Sequence, residues 1–214
     1  MSFFTVSSSP HITTQETTSR IMLDVIIALI PAGVVSVWMF GAKSLWLILL
    51  GIGTAVLTEY LIQKLMKKPV TIGDFSAVVT GMLLAYNLPP NAPWWLVVIG
   101  SAIAIALVKQ VFGGLGHNFM NPALAARAIL LACWPVRMTS WVQPGADAIS
   151  TSTPLALLKA GDAVSSATVS GATAAIAEPP ALLDVFIGNI GGTIGEVSSV
   201  ALLLGAAYLL IRGV

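Results

Sequence analysis

The chain has 214 residues, of which 57% are hydrophobic and only 9% are charged, and its formal net charge at pH 7 is +1. Soluble domains carry about 25% charged residues, so this composition excludes a surface that faces water on all sides and predicts contact with lipid. The near-neutral charge argues against nucleic acid as an electrostatic partner, and a single cysteine, Cys133, excludes an internal disulfide or a metal cluster built from cysteines of this chain.

The apolar segments predict an all-α polytopic membrane protein, because a bilayer core of about 30 Å needs about 20 apolar residues per helix. Residues 1–20 are rich in Ser and Thr and are interpreted as a cytoplasmic lead-in. Residues 21–137 are expected to hold five transmembrane helices, residues 138–182 an extracytoplasmic loop, and residues 183–214 the start of a second helical half. The predicted helices are 21–40, 44–62, 75–88, 94–111, 121–136 and, in the second half, 197–211.

Two predicted helices, 75–88 and 121–136, are short for a span. Interrupted helices are tolerated at membrane depth only where they contact protein or line a cavity. Glycines at 113, 114 and 116 precede the second one, which begins at Asn121. Such a helix N-terminus can offer N–H groups to an anionic ligand, and a tight interhelical turn is the alternative.

The lysine and arginine distribution predicts a cytoplasmic N-terminus, by the positive-inside rule. With that orientation six of these residues lie on or near the inside, and Lys43, Arg137 and Lys159 lie outside. The six inner ones are Arg20, Lys64, Lys67, Lys68, Lys109 and Arg212. The long loop 138–182 is then extracytoplasmic, and loops of this length are usually functional. A disordered connector is the alternative.

Charged residues inside the predicted helices are the first candidate functional residues, because lipid penalises charge. Asp24 and Glu59 lie near cytoplasmic helix ends, where they either reach water, pair with a lysine or admit a cation to an ion pathway. Arg127 lies deeper, and either pairs with a carboxylate or holds a phosphate or flavin by bidentate hydrogen bonds. The sequence contains none of the motifs HExxH, GxSxG and CxxC, and no metal site is predicted.

Several stretches, in a fixed order, resemble a known family. They are Ser9-Pro10-His11, Ala28–Ala32, Asp74–Gly81, Leu88-Pro89-Pro90, Phe112–Ala123 and Phe186–Glu196. Together they are similar to the D subunit of the Rnf complex and, less closely, to the B subunit of the Na⁺-translocating NADH:quinone reductase. The resemblance implies two related helical halves like those of urea transporters. This chain would cover the first half and the start of the second, as part of a longer protein.

The resemblance also implies FMN joined through its phosphate to a threonine, in a motif Asp-x-x-Ser-Gly-Ala-Thr that Pro-Leu or Ala-Leu follows. The preferred match is Asp147-Ala148-Ile149-Ser150-Thr151-Ser152-Thr153-Pro154-Leu155, in which Thr151 and Ser152 replace Gly and Ala. Thr173, in Ser170-Gly171-Ala172-Thr173, is the alternative, but it lacks the upstream Asp and the downstream Pro-Leu. Arg127 and Asn121 are further candidate cofactor-binding residues.

The implied function is a multi-pass subunit in the cytoplasmic membrane that relays electrons between the ferredoxin and NAD⁺ sides of a complex coupled to Na⁺ or H⁺ transport. It would not be catalytic alone. The implied partners are other membrane and peripheral subunits, a flavin transferase and the lipid bilayer. A second, non-covalent flavin such as riboflavin is also implied. A urea-transporter-like channel and a cofactor-free scaffold subunit remain as alternatives.

Overall fold

The computed structural model describes residues 16–142, 144, 150–151, 181–196 and 198–214. The described part is predominantly helical, which confirms the predicted helical class. Its α-helices are α1 (Thr18–Phe40), α2 (Ala42–Leu65), α3 (Ser76–Tyr86), α4 (Trp94–Ile103), α5 (Pro122–Cys133), α6 (Pro135–Met138), α7 (Leu182–Ile187) and α8 (Ser199–Arg212). A 3₁₀ turn, Ile72–Asp74, precedes α3, and a π-helix, Ala104–Gln110, continues α4. Strands β1 (Trp141–Val142) and β2 (Ser150–Thr151) pair antiparallel.

Helices α1 and α2 are long and apolar enough to cross a membrane by length and composition. With 23 and 24 residues they measure about 35 Å each, close to the thickness of a bilayer core. Thr17 caps the start of α1 by accepting from the backbone N–H of Arg20, and Gly41, at φ 78°, turns the chain into α2. Large apolar side chains face outward, among them Trp38 (77% exposed) and Leu65 (84%). This arrangement is consistent with a membrane protein.

Helix α3 is interrupted, as its predicted short length indicated. It has 11 residues and ends at Tyr86. The backbone carbonyls of Tyr86 and Leu88 accept hydrogen bonds from the N–H groups of Gly195 (2.9 Å) and Ile194 (3.0 Å). The second half of the chain therefore satisfies backbone groups that the end of α3 leaves free, which makes the interruption tolerable in an apolar setting.

The predicted helices 94–111 and 121–136 are each divided in the structure. The first is an α-helix that changes to a π-helix at Ala104. The second ends at Cys133, and α6 begins after Trp134, because Pro135 lacks the N–H that would continue α5. Neither hydropathy nor spacing in the sequence indicated the π-helix.

Small residues bring two helix pairs into close contact. A Cβ built on Gly81 of α3 would lie 2.6 Å from the carbonyl oxygen of Gly51 of α2. A Cβ on Gly205 of α8 would likewise collide with the carbonyl oxygen of Ala28 of α1. Contact between small residues is the usual way in which helices associate where lipid surrounds them.

The two ends of the helix bundle differ in their side chains. One end carries Lys64, in the last turn of α2, and Lys67 and Lys68 just after α2, and is called the lysine end. At the other end, called the tryptophan end, the rings of Trp95 and Trp134 meet edge to face with centroids 5.3 Å apart. Helix α5 ends there, and the chain continues from the tryptophan end through α6 into β1, which pairs with β2.

Candidate functional site

A buried ion pair near the lysine end joins α2 to the π-helix. Glu59 and Lys109 are each 1% exposed, and Lys109 Nζ donates to Glu59 Oε1 at 2.7 Å and to Oε2 at 2.9 Å. Of the alternatives for Glu59, the structure therefore shows pairing with a lysine. The partner comes from a different helix, 50 positions along the chain.

Three neutral side chains complete the surroundings of this pair. Gln110 Nε2 and Gln63 Nε2 donate to Glu59 Oε1 at 2.8 and 3.2 Å. Ser76 Oγ accepts from Lys109 Nζ at 2.6 Å, and its hydroxyl in turn donates to Asp74. Glu59, Gln63, Ser76, Lys109 and Gln110 are called the Glu59 cluster. The cluster is electrically neutral and hydrogen-bonded, as a buried charge pair must be to persist.

The π-helix explains why two neighbouring residues reach one carboxylate. In an α-helix consecutive side chains are about 100° apart around the axis, whereas the π-helix spreads each turn over more residues and reduces that angle. Lys109 and Gln110 are the last two residues of the π-helix, and both donate to Glu59. Single π-helical turns within helices are frequently found at functional sites.

A cavity of about 260 Å³ leads from the lysine end to the Glu59 cluster. Glu59, Gln63 and Gln110 form part of its lining. The remaining lining residues are Lys68, Pro69, Thr71, Asp74, Gly113, Gly114 and Leu115. The cavity is large enough for several water molecules, and its lining offers them polar partners.

The glycine-rich segment before α5 forms one wall of this cavity. Gly113 and Gly114 have φ angles of 112° and 99°, and the N–H of Gly114 donates to the carbonyl of Lys109 at 3.0 Å, which turns the chain away from the π-helix. Asn121 Oδ1 accepts from the N–H groups of Ala123 (2.9 Å) and Leu124 (3.3 Å). The side chain of Asn121 therefore occupies two of the N–H groups that an anionic ligand would need.

Asp24 belongs to a second, separate cluster between α1 and α8. Its carboxylate accepts from the hydroxyl of Tyr208 at 2.8 Å and from Arg212 Nη2 at 3.1 Å. Asp24 is 4% exposed, whereas the side chain of Arg212 is 36% exposed. The two carboxylates selected from the sequence, Asp24 and Glu59, thus have different partners, and the structure does not bring them into one site.

Arg127 contacts the interruption after α3. Its Nη1 donates to Asn87 Oδ1 at 2.9 Å, and Asn87 Nδ2 donates to the carbonyl of Leu83 at 2.8 Å. Arg127 is half-buried. An amide oxygen, and not a carboxylate, is therefore the partner of this guanidinium within the part of the chain that the structure describes.

Four of the candidate flavin residues lie outside the described residues, namely Asp147, Ser152, Thr153 and Thr173. Ser150 and Thr151 form β2, in which Thr151 is opposite Trp141 and Ser150 is opposite Val142. The strand pair fixes the backbone up to two residues before Thr153.

Sequence reasoning missed most partners in these clusters. It placed Lys109 only as an inner positive charge, and it did not select Gln63, Ser76 or Gln110. The signal that could have found them was the adjacent polar pair Lys109 and Gln110 at the end of an otherwise apolar segment. Such residues are rare within helices that face lipid and usually face the interior of the bundle.

Comparisons with known proteins identify relatives. The family model described as "NQR2, RnfD, RnfE family" matches residues 5–214. The chain is 54% identical over 213 residues to the D subunit of the Na(+)-translocating ferredoxin:NAD(+) oxidoreductase complex of Acetobacterium woodii, covering 98% of this chain and 63% of that protein. It is 44% identical over 212 residues to the D subunit of the proton-translocating ferredoxin:NAD(+) oxidoreductase complex of Clostridium ljungdahlii, covering 98% and 62%.

A third relative is the D subunit of the ion-translocating oxidoreductase complex of Shewanella denitrificans, which is 46% identical over 159 residues. That alignment covers 73% of this chain and 45% of the relative. The chain spans less than two thirds of the length of each of these three proteins.

Proposed function

Because the chain belongs to the NQR2, RnfD, RnfE family, we propose that it is part of a membrane subunit in an Rnf-type complex that passes electrons between ferredoxin and NAD⁺ and transports Na⁺ or H⁺. The observation that carries this proposal is the 54% and 44% identity, over 98% of the chain, to relatives named as the D subunits of such complexes. Activity then belongs to the assembled complex, with other membrane and peripheral subunits as partners, and not to this chain alone.

Within that role the chain carries FMN on Thr153, attached by a flavin transferase. The support is the motif around Thr153 and the strand pair β1–β2, which holds the preceding residues at the tryptophan end. A transferase can reach a threonine in a loop outside the membrane, unlike one inside a helix that faces lipid. When bound, the flavin supplies the redox chemistry, while the chain positions it. Thr173 is the alternative attachment residue.

The orientation follows from the lysine end, which we place in the cytoplasm by the positive-inside rule. The N-terminus then lies in the cytoplasm, and the tryptophan end with β1–β2 and the flavin loop lies outside. Trp95 and Trp134 suit an interfacial position, because tryptophan is enriched where membrane meets water.

The cavity at the lysine end is the proposed entrance for the transported cation, with Glu59 at its inner wall. Asp24 was the other candidate for the pathway. Its carboxylate is held by Tyr208 and Arg212, so we assign it to the junction between α1 and α8.

The hydrogen bonds of Ile194 and Gly195 to the end of α3 also support the inference of two helical halves that meet at interrupted segments, as in urea transporters.

The test is intact mass measurement and peptide mapping of the full-length protein, produced together with a flavin transferase, with flavin fluorescence of the denatured band. The expected result is an FMN-phosphoryl adduct on the peptide that contains Thr153. T153V should lose the adduct, and the matched control T173V should keep it. The reverse pattern would move the attachment to Thr173. A protein without an adduct would favour a channel or a cofactor-free scaffold subunit.

A further inference from the structure

The arrangement of the Glu59 cluster allows two cations to compete for one carboxylate, which goes beyond a cation entrance. We propose that the Lys109 ammonium is a tethered counter-cation, which neutralises Glu59 when no transported cation is bound and must leave Glu59 when one binds. This inference rests on the proposed function, because it deepens the role of the Glu59 site in cation transport.

Charge balance at Glu59 requires a cation. Glu59 is 1% exposed, and its carboxylate receives one ammonium and two amide N–H groups. The amides are neutral, so Lys109 is the cationic partner of this carboxylate within the described residues. A buried carboxylate without a cation is strongly disfavoured. Glu59 is therefore expected to keep one cation at all times, whether the ammonium or another.

The atoms around the ammonium suit other cations as well. Three oxygens surround Lys109 Nζ: Oε1 and Oε2 of Glu59 and Oγ of Ser76, at 2.7, 2.9 and 2.6 Å. Oxygen donors of this kind suit hard cations, and a carboxylate oxygen is also the natural acceptor of a proton. The oxygen atoms that hold the ammonium are thus the ones that a transported Na⁺ or H⁺ would use.

The cavity gives a cation access to Glu59. Glu59, Gln63 and Gln110 line the cavity from the lysine end, whereas Lys109 lies outside that lining. A cation in the cavity can therefore approach the Glu59 carboxylate, whereas the ammonium is not among the groups that line the cavity. Asp74 also lines the cavity and is linked to the cluster through Ser76, so a second carboxylate attracts cations to it. Lys68, at the outer wall, is a positive charge that opposes entry.

The consequence is that Lys109 sets the affinity for the transported cation. Without the ammonium, Glu59 should bind Na⁺ or a proton much more tightly, because nothing competes for it. With both charges removed, the site should bind neither. The variants K109M and E59Q/K109M therefore separate competition from a merely structural role of Lys109.

The experiment measures thermal unfolding of the full-length protein in its complex, over a series of NaCl concentrations matched in ionic strength with choline chloride, at pH 6 and pH 8. K109M should show a cation-dependent rise in unfolding temperature that is half-complete at a concentration at least tenfold lower than in the unsubstituted protein. A response to NaCl at both pH values identifies Na⁺, and a response to pH alone identifies the proton. E59Q/K109M should respond to neither, and the control K64M, at an exposed lysine of α2, should behave like the unsubstituted protein.

The same cation response in K109M, E59Q/K109M and the unsubstituted protein would overturn the proposal. If K109M does not fold at low salt, NaCl or low pH should restore its folding and choline chloride should not. Failure of both NaCl and low pH, or equal recovery by choline chloride, would also overturn the proposal. None of these measurements requires a redox reaction. A tighter cation response in K109M, together with a protein that carries no flavin adduct on either Thr153 or Thr173, would retain this inference and reject the proposed electron-transfer function.

Discussion

Gly51 and Gly81 bring α2 and α3 so close that a Cβ on Gly81 would lie 2.6 Å from the carbonyl oxygen of Gly51 and 2.9 Å from the Cβ of Ala55. This contact fixes the start of α3, and hence Ser76, relative to Glu59 on α2. The position of Ser76 in the Glu59 cluster therefore depends on the absence of a side chain at Gly81.

The first prediction concerns this contact. G81A should destabilise the protein by about 1–3 kcal/mol, because the new methyl group meets backbone that cannot move aside easily. Thermal or denaturant unfolding in detergent measures the loss. The matched control is G53A on α2, where nothing lies within 4 Å of the added Cβ. G53A should change stability by no more than about 1 kcal/mol, and equal losses in the two variants would contradict the close contact.

The second prediction concerns Glu59. E59Q leaves the Lys109 ammonium buried without its carboxylate, which should cost about 3–5 kcal/mol of stability. E59Q/K109M should recover much of that loss, because it removes both buried charges together. Unfolding free energies of the two single variants and the double variant give the coupling. Additive losses would show that the two residues do not depend on each other.

Turnover of E59Q that still varies with Na⁺ or H⁺ as in the unsubstituted complex would exclude Glu59 from the ion pathway.

The third prediction concerns Asp24. D24N should lower the unfolding temperature, because it removes the charge that Arg212 faces across the junction of α1 and α8. D24N/R212Q should lower it little further, since either substitution breaks the same ion pair. Cation-dependent turnover of D24N should match that of the unsubstituted complex. A changed cation dependence would instead place Asp24 in the ion pathway and overturn its assignment to the junction.

The fourth prediction separates two roles of Asn121. As the cap of α5, Asn121 accepts from two backbone N–H groups, so N121A should cost about 1 kcal/mol of stability. N121D should retain the cap and the stability, because an aspartate accepts from the same N–H groups. Flavin content, read from absorbance, should be unchanged in N121D. A loss of flavin from N121D with stability intact would show that Asn121 contacts the cofactor, as the sequence suggested.

The long apolar helices were predictable from sequence because each is determined by the hydropathy of its own consecutive residues. The predicted helices 21–40 and 44–62 agree within three residues at each end with Thr18–Phe40 and Ala42–Leu65. A run of about 20 apolar residues has few other structures available to it in lipid. The short length of α3 was visible too, since Pro89 and Pro90 prevent its continuation.

The partners of the charged residues were not predictable in the same way. Glu59 and Lys109 are 50 positions apart, and Asp24 and Arg212 are 188 apart. Such pairs depend on how the helices pack, and hydropathy carries no information about which helices are neighbours. The π-helix escaped prediction because Ala104–Val108 continue the apolar run of the preceding α-helix, and hydropathy does not distinguish the two kinds of helix. Helix α7 escaped prediction because six residues are too few for a periodic pattern.

The π-helix also affects what the end of its segment can present to α2. Its hydrogen-bonded rings span five residues where those of an α-helix span four, so Ala104–Gln110 contains surplus chain relative to an α-helix of equal height. Rewinding that surplus by one residue would turn the following positions by about 100° and advance them by about 1.5 Å. Lys109 and Gln110 both donate to Glu59 in the present winding. Rewinding would turn both side chains relative to α2, so the number and charge of the donors that reach Glu59 depend on the winding of this one segment.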